Sequence, residues 1–183
     1  MFSFYRSESA FRSIICVSAG VLLFILFIWY ALKPILLLEG NGKEILSVET
    51  KVGDKFSTHF THSVQKTPVE EFFIVNDNCD GFILRSTRYR SFGVGLPFLS
   101  SDGNFRREND YFIMDDLNRP IKTLDLRTGV DSELSITIGN ETVKLYEIMP
   151  LGTLFRVSII PRYKFWIKSF MLNELENNLT KKQ

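Results

Sequence analysis

Hydrophobic positions along this chain follow three successive patterns. Residues 14–32 (IICVSAGVLLFILFIWYAL) run without a charge or a proline, about the length a helix needs to cross the hydrocarbon core of a bilayer. Backbone groups in lipid must satisfy one another, so a single run of this kind predicts a helix. Trp29 and Tyr30 near its end suit the headgroup boundary. From Ile35 onward the apolar runs shorten, become rich in Ile, Val, Leu, Phe and Thr, and are broken by turn residues, as in an all-β domain. Strands are predicted at 35–39, 44–51, 56–63, 69–76, 82–89, 111–114, 121–126, 133–138, 143–148 and 154–160. In the tail, Ile167, Met171, Leu175 and Leu179 recur at helical spacing with Phe170 beside them, interrupted by Glu174 and Asn178. That spacing predicts a short amphipathic helix.

The breaks have local causes. Asn41-Gly42, Gly53-Asp54, the stretch 77–81 and Gly139-Asn140 tolerate positive φ, and the last is a two-residue hairpin signal. Pro120, Pro150 and Pro161 fall at run boundaries, where a missing N–H donor does least harm. About ten short strands with hairpin-length connections predict an antiparallel β-sandwich or a partly closed barrel. A parallel sheet would need crossover helices, which the pattern lacks. The longest stretch without a predicted strand, 90–110, reads as a covering or functional loop. Phe92, Leu96, Phe98 and Leu99 would let part of it fold back on the sheet. The tail helix has three settings open to it: against the sheet or a partner, on the membrane surface with Trp166, Lys164 and Lys168, or frayed.

The pattern divides the chain into a tail (1–13), a transmembrane signal anchor (14–32), a β domain (33–162) and a C-terminal amphipathic segment (163–183). Arg6 and Arg12 precede the apolar run, but no small-x-small cleavage site follows Tyr30. This predicts a run that is retained as an anchor. The basic residues flanking it are nearly balanced, so tail length decides the orientation. A tail of about a dozen residues stays inside more readily than a whole domain, which puts the domain outside the cytoplasm. A net charge of +1 lacks the broad positive field of a nucleic-acid binder. Cys16 lies in the anchor and Cys79 alone in the domain, so the domain holds no internal disulfide.

Candidate chemistry gathers at two places. The first is Thr58-His59-Phe60-Thr61-His62-Ser63, followed by Gln65-Lys66-Thr67-Pro68 and Glu70-Glu71. His59 and His62, three apart on a strand, point to opposite faces and do not make a shared metal site. Adjacent His62 and Ser63 diverge in the same way and do not make a nucleophile and base. A hairpin turning near Lys66 would set His62 opposite Glu70 in one register and Glu71 in the next. Such a pair serves either as a ligand or proton site at the hairpin mouth or as a structural pair fixing the register. The second place is Ser91-Phe92-Gly93-Val94-Gly95-Leu96-Pro97. No helix start follows it to cradle a phosphate, so its glycines suit close backbone approach to the sheet or to a ligand. Arg85, Arg88 and Arg90 before it read as a solvated face.

His62-Ser63-Val64, Thr67-Pro68 and Glu70-Glu71, followed by Phe92-Gly93-Val94-Gly95-Leu96-Pro97, together resemble the bacterial family called domain of unknown function 1850. The resemblance spans 35–160. Gln65 stands where the family pattern often has glutamate. What the resemblance implies is a module with no established activity, typically encoded beside tripartite (TRAP) solute transporters of the TAXI type. The expectation is therefore a non-enzymatic accessory module, anchored in the bilayer and contacting a TRAP permease subunit or its solute-binding protein. Its contact surface would comprise His62, Ser63, Pro68, Glu70, Glu71, Gly93, Gly95 and Pro97, with no cofactor and no metal. The rivals are an extracytoplasmic hydrolase or metal-dependent enzyme using His62 with Glu70 or Glu71, and a purely structural envelope protein.

Overall fold

The computed structural model describes residues 3–92, 96–97, 99, 101 and 103–180, with side chains between 11 and 174 of that set. The chain divides into two compact units, Met1–Lys33 with Pro161–Gln183, and Pro34–Ile160. In the first unit, helix α1 (Ser3–Leu32) contains a segment, Phe11–Leu32, long and apolar enough to cross a membrane. Its side chains from Phe11 onward are exposed apart from Ala31, unlike those of a core helix in a soluble domain. Pro34 stops it, because the residue before a proline is pushed out of the helical region. The second long helix, α3 (Arg162–Thr180), belongs to the same unit.

The β unit begins with β1 (Pro34–Gly40) and β2 (Lys43–Glu49), joined by Asn41 and Gly42. Both turn residues have positive φ, at 50° and 80°, the signature of the hairpin turn that matches strand twist. There follow β3 (Lys55–Thr61), β4 (Pro68–Val75), β5 (Phe82–Tyr89), β6 (Asn104–Glu108), β7 (Tyr111–Asp115), β8 (Arg119–Ile121) and β9 (Leu124–Arg127). The unit closes with β10 (Ser135–Ile138), β11 (Glu141–Lys144), the single helical turn α2 (Leu145–Ile148) and β12 (Leu154–Pro161). One sheet has the order β2-β1-β12-β9. The other runs β11-β10-β3-β4-β5-β7-β6, with β8 pairing β5 beside that path. The ladders β1–β2, β3–β4, β4–β5, β5–β7, β5–β8, β6–β7, β3–β10, β10–β11 and β9–β12 are antiparallel, as expected from the hairpin-length connections. One core joins the sheets: Leu36, Leu38, Phe155 and Val157 from the smaller meet Phe56, Phe73, Phe82, Met114 and Ile136 from the larger.

Several elements differ from expectation. Twelve strands appear among the described residues rather than about ten. The stretch 90–110 is not one loop, because β6 lies within it and pairs with β7 just beyond its end. All five β6 residues are exposed, so the strand carries no inward-outward alternation to betray it. The expected strand 143–148 is two elements: β11 ends at Lys144, and buried Leu145 starts α2. The expected strand 121–126 is likewise split between β8 and β9.

Candidate functional site

The 62–67 turn is built by backbone and imidazole together. The β3–β4 ladder ends at Thr61↔Pro68. Beyond it the His62 N–H donates to Thr67 O at 2.9 Å, and the Lys66 N–H donates to His62 O at 2.9 Å. His62 Nδ1 accepts from the Val64 and Gln65 amides, each at 3.2 Å, and Lys66 closes the turn at a φ of 52°. With Nδ1 accepting, a neutral His62 ring carries its proton on Nε2 and offers it as a donor.

This register changes the pairing expected for the glutamates. His62 lies beyond the ladder and faces neither Glu70 nor Glu71, because the hairpin turns nearer its first strand than a turn at Lys66 would. His59 is opposite Glu70 and Thr58 opposite Glu71. His59 Nδ1 is 3.6 Å from Glu70 Oε1, and Arg88 Nη1 is 3.5 Å from Glu70 Oε2. Arg88 also lies over the Tyr111 ring at 3.8 Å, with Arg90 at 4.7 Å from the same ring. Glu70 thus belongs to a surface cluster on the face away from the core. Weak coupling is expected of such half-exposed pairs.

Glu71 takes the opposite face. Cross-strand register aligns Ile136, Thr58, Glu71, Thr87 and Met114 in one row over five strands. The other four members are fully buried, which leaves Glu71 as the one ionisable side chain in an otherwise dry row. Thr58 Oγ1 donates to Glu71 Oε2 at 3.3 Å. Burial holds the Glu71 carboxyl above the usual glutamate range, opposed by that hydrogen bond.

Glu71 opens into a cleft of about 620 Å³, lined also by His62, Ser63, Lys66, Arg127 and Ser132, with Phe60, Leu96 and Val130 as apolar walls. The far wall is the 127–132 turn. It is tied to β3 where the Thr61 N–H donates to Ser132 O at 2.6 Å. Lys66 Nζ lies 3.4 Å from Asp131 Oδ2, bridging the two walls, and Arg127 Nη1 donates to Gly152 O at 2.9 Å.

The second sequence motif anchors the cleft's edge. Leu96 is buried against Val69 and Tyr89, and the buried Tyr89 hydroxyl donates to Pro97 O at 2.6 Å. Phe92 packs on Phe112 with ring centroids 4.2 Å apart, next to Phe105. The loop therefore folds back on the sheet at Phe92 and Leu96. Gly93, Gly95 and Phe98 lie outside the described residues.

The structure thus gathers His62, Ser63 and Glu71 at one cleft, leaves Pro68 at the start of β4, and places Glu70 on the opposite face. Arg127, Val130 and Ser132 were missed by sequence reasoning. They are ordinary turn-forming or surface types far from the motif, and register alone brings them to it. The arrangement offers hydroxyl, imidazole N–H and guanidinium donors around a carboxyl, between apolar walls. His62 Nδ1 is taken up by the backbone amides of its own turn.

A β unit carrying such a cleft and preceded by an apolar helix of membrane-spanning length is the class of protein these observations define. A family model described as Domain of unknown function (DUF1850) matches residues 56–145, from within β3 to the start of α2. The resemblance expected from the two motifs is found there, over a shorter stretch than 35–160. No curated protein and no solved structure matches the chain.

Proposed function

We propose that this chain is a single-pass, membrane-anchored accessory protein whose β unit lies outside the cytoplasm and docks a component of a TRAP-type solute transporter. The partner is a permease subunit or its solute-binding protein, and the contact is the cleft between the 62–67 and 127–132 turns. The observation that carries this reading is that cleft, open, donor-rich and walled by apolar side chains, on a unit that follows the apolar helix after the single residue Lys33. Highly exposed Val64 and Val130 on its two turns suit a protein partner better than a small polar solute. The family resemblance supports the choice of partner, through the transporters beside which such modules are encoded. Contact rather than catalysis agrees with the use of His62 Nδ1 inside its own turn.

A photo-crosslinking residue at Val64 or Val130 in the full chain, activated in native membranes, is expected to capture a permease subunit or solute-binding protein. Arg127→Glu is expected to weaken capture severalfold while lowering the unfolding midpoint by no more than a few degrees, for the loss of its hydrogen bond to Gly152 O. Recovery of no transporter component from either position overturns the reading.

A further inference from the structure

We infer that the first three turns of α3 form a second membrane contact, an interfacial helix seated in the headgroup and upper acyl region beside the end of the α1 span. The inference rests on α1 being a membrane span and is independent of the partner of the cleft.

Three observations carry it. The start of α3 is fastened to the last turn and a half of α1. The Arg162 N–H donates to Lys33 O at 2.9 Å, and the Arg162 guanidinium lies over the Tyr30 ring at 3.9 Å. Trp166 stacks on Phe27 at 6.3 Å and meets Tyr30 at 6.0 Å. Those α1 residues are at the end of Phe11–Leu32, so α3 begins at the depth where a spanning helix leaves the hydrocarbon.

From that point α3 presents an apolar face with no protein cover among the described residues. Ile167, Phe170 and Met171 are 55%, 63% and 58% exposed, and Tyr163 and Trp166 continue the face toward α1. At 100° per residue these five side chains fall within one arc, which ends at Glu174 one turn below Phe170. A shallow, mainly apolar groove of about 310 Å³ lies along it, bordered by Lys164 and Lys168. Lysines beside an apolar face match an interface of acyl chains beneath anionic headgroups. The α1 surface is continuous with this face and is itself lipid-facing under the same reading, which makes bilayer the occupant that fits.

The test uses the full chain with Cys16→Ser and Cys79→Ser, in vesicles of phosphatidylcholine and phosphatidylglycerol. An environment-sensitive nitrobenzoxadiazole probe is attached at Phe170→Cys, Met171→Cys or, as a control on the side of the helix turned away from that arc, Ser169→Cys. Lipid bearing a spin label near the top of its acyl chain is expected to quench the probes at 170 and 171 severalfold more than the probe at 169. Equal, weak quenching at all three positions with the chain floating with the vesicles overturns the inference and leaves the α1 span intact. A probe at 170 that is shielded from water but unquenched by lipid also overturns it, in favour of a protein occupant such as a second copy. A chain that fails to float with the vesicles removes the span and the inference together.

Discussion

Glu71 shows how one residue makes a surface out of a core position. Its strand alternates Val69, Glu71, Phe73 and Val75 toward the interior, and the three apolar members are buried. A leucine there would complete the packing, whereas a carboxyl keeps the row open to the cleft. A carboxyl whose pKa is raised on folding supports the fold in its protonated form. That support is full below the unfolded-state pKa and is lost as pH rises through the folded-state value. Glu71→Gln retains the shape and a hydrogen bond to Thr58 without the charge. The full chain carrying it is therefore expected to melt a few degrees above the parent near neutral pH, with the gap closing toward about pH 4 where the carboxyl is protonated anyway. Thermal unfolding followed by circular dichroism at both pH values checks this, and a parent no less stable than the variant near neutral pH contradicts it. The sequence shows the carboxyl pair at 70 and 71 but not which member turns inward, because Phe72, Phe73 and Ile74 blur the alternation. A register shift between Phe72 and Phe73 blurs it further.

Strands stand out in this sequence where both faces differ in polarity, and they disappear where they do not. β5 matches its expected bounds of 82–89 because Phe82, Leu84, Thr87 and Tyr89 are buried while Arg85 and Arg88 are less so. The exposed edge strand β6 has no such contrast, and the 127–132 wall of the cleft is a turn whose placement depends on contacts far away in sequence. The hairpin register of β3 and β4 was hidden for a related reason: imidazole capping by His62 is a three-dimensional event within a polar run. Tight connections between strands are nonetheless firm, and Gly81 at the start of β5 shows why. A Cβ there would lie 2.7 Å from Ile121 O and 3.1 Å from Lys122 Cα, both backbone atoms of the segment around β8. Neither can rotate away as a side chain would, so Gly81→Ala must displace β8 from β5. The expected cost is roughly 1–3 kcal/mol, in the range of overpacking elsewhere, read as a lower denaturation midpoint with little change in slope. A neutral substitution would mean that β8 is free to move.

The last turns of α1 and the start of α3 meet in one unit, and that bears on whether the first helix survives in the mature protein. Lys33 and Arg162 are joined by a backbone hydrogen bond at the points where the chain enters and leaves the β unit. Phe27 and Tyr30 supply ring partners to Trp166 and Arg162. Removal of the first helix as a cleaved leader would leave Trp166 and Arg162 without those ring partners. Retention would make the helix an anchor, and the proposed function further requires the β unit to lie on the far side of the membrane from the cytoplasm. Both halves of this reading can be checked in one sample. In a Cys16→Ser, Cys79→Ser background, Val64→Cys at the exposed turn is expected to react with a membrane-impermeant maleimide added to intact spheroplasts. The intact mass of the labelled protein should include residues 1–32. Labelling only after the membrane is opened would reverse the orientation, and a mass lacking the first helix would remove the anchor on which the proposed docking at the membrane depends.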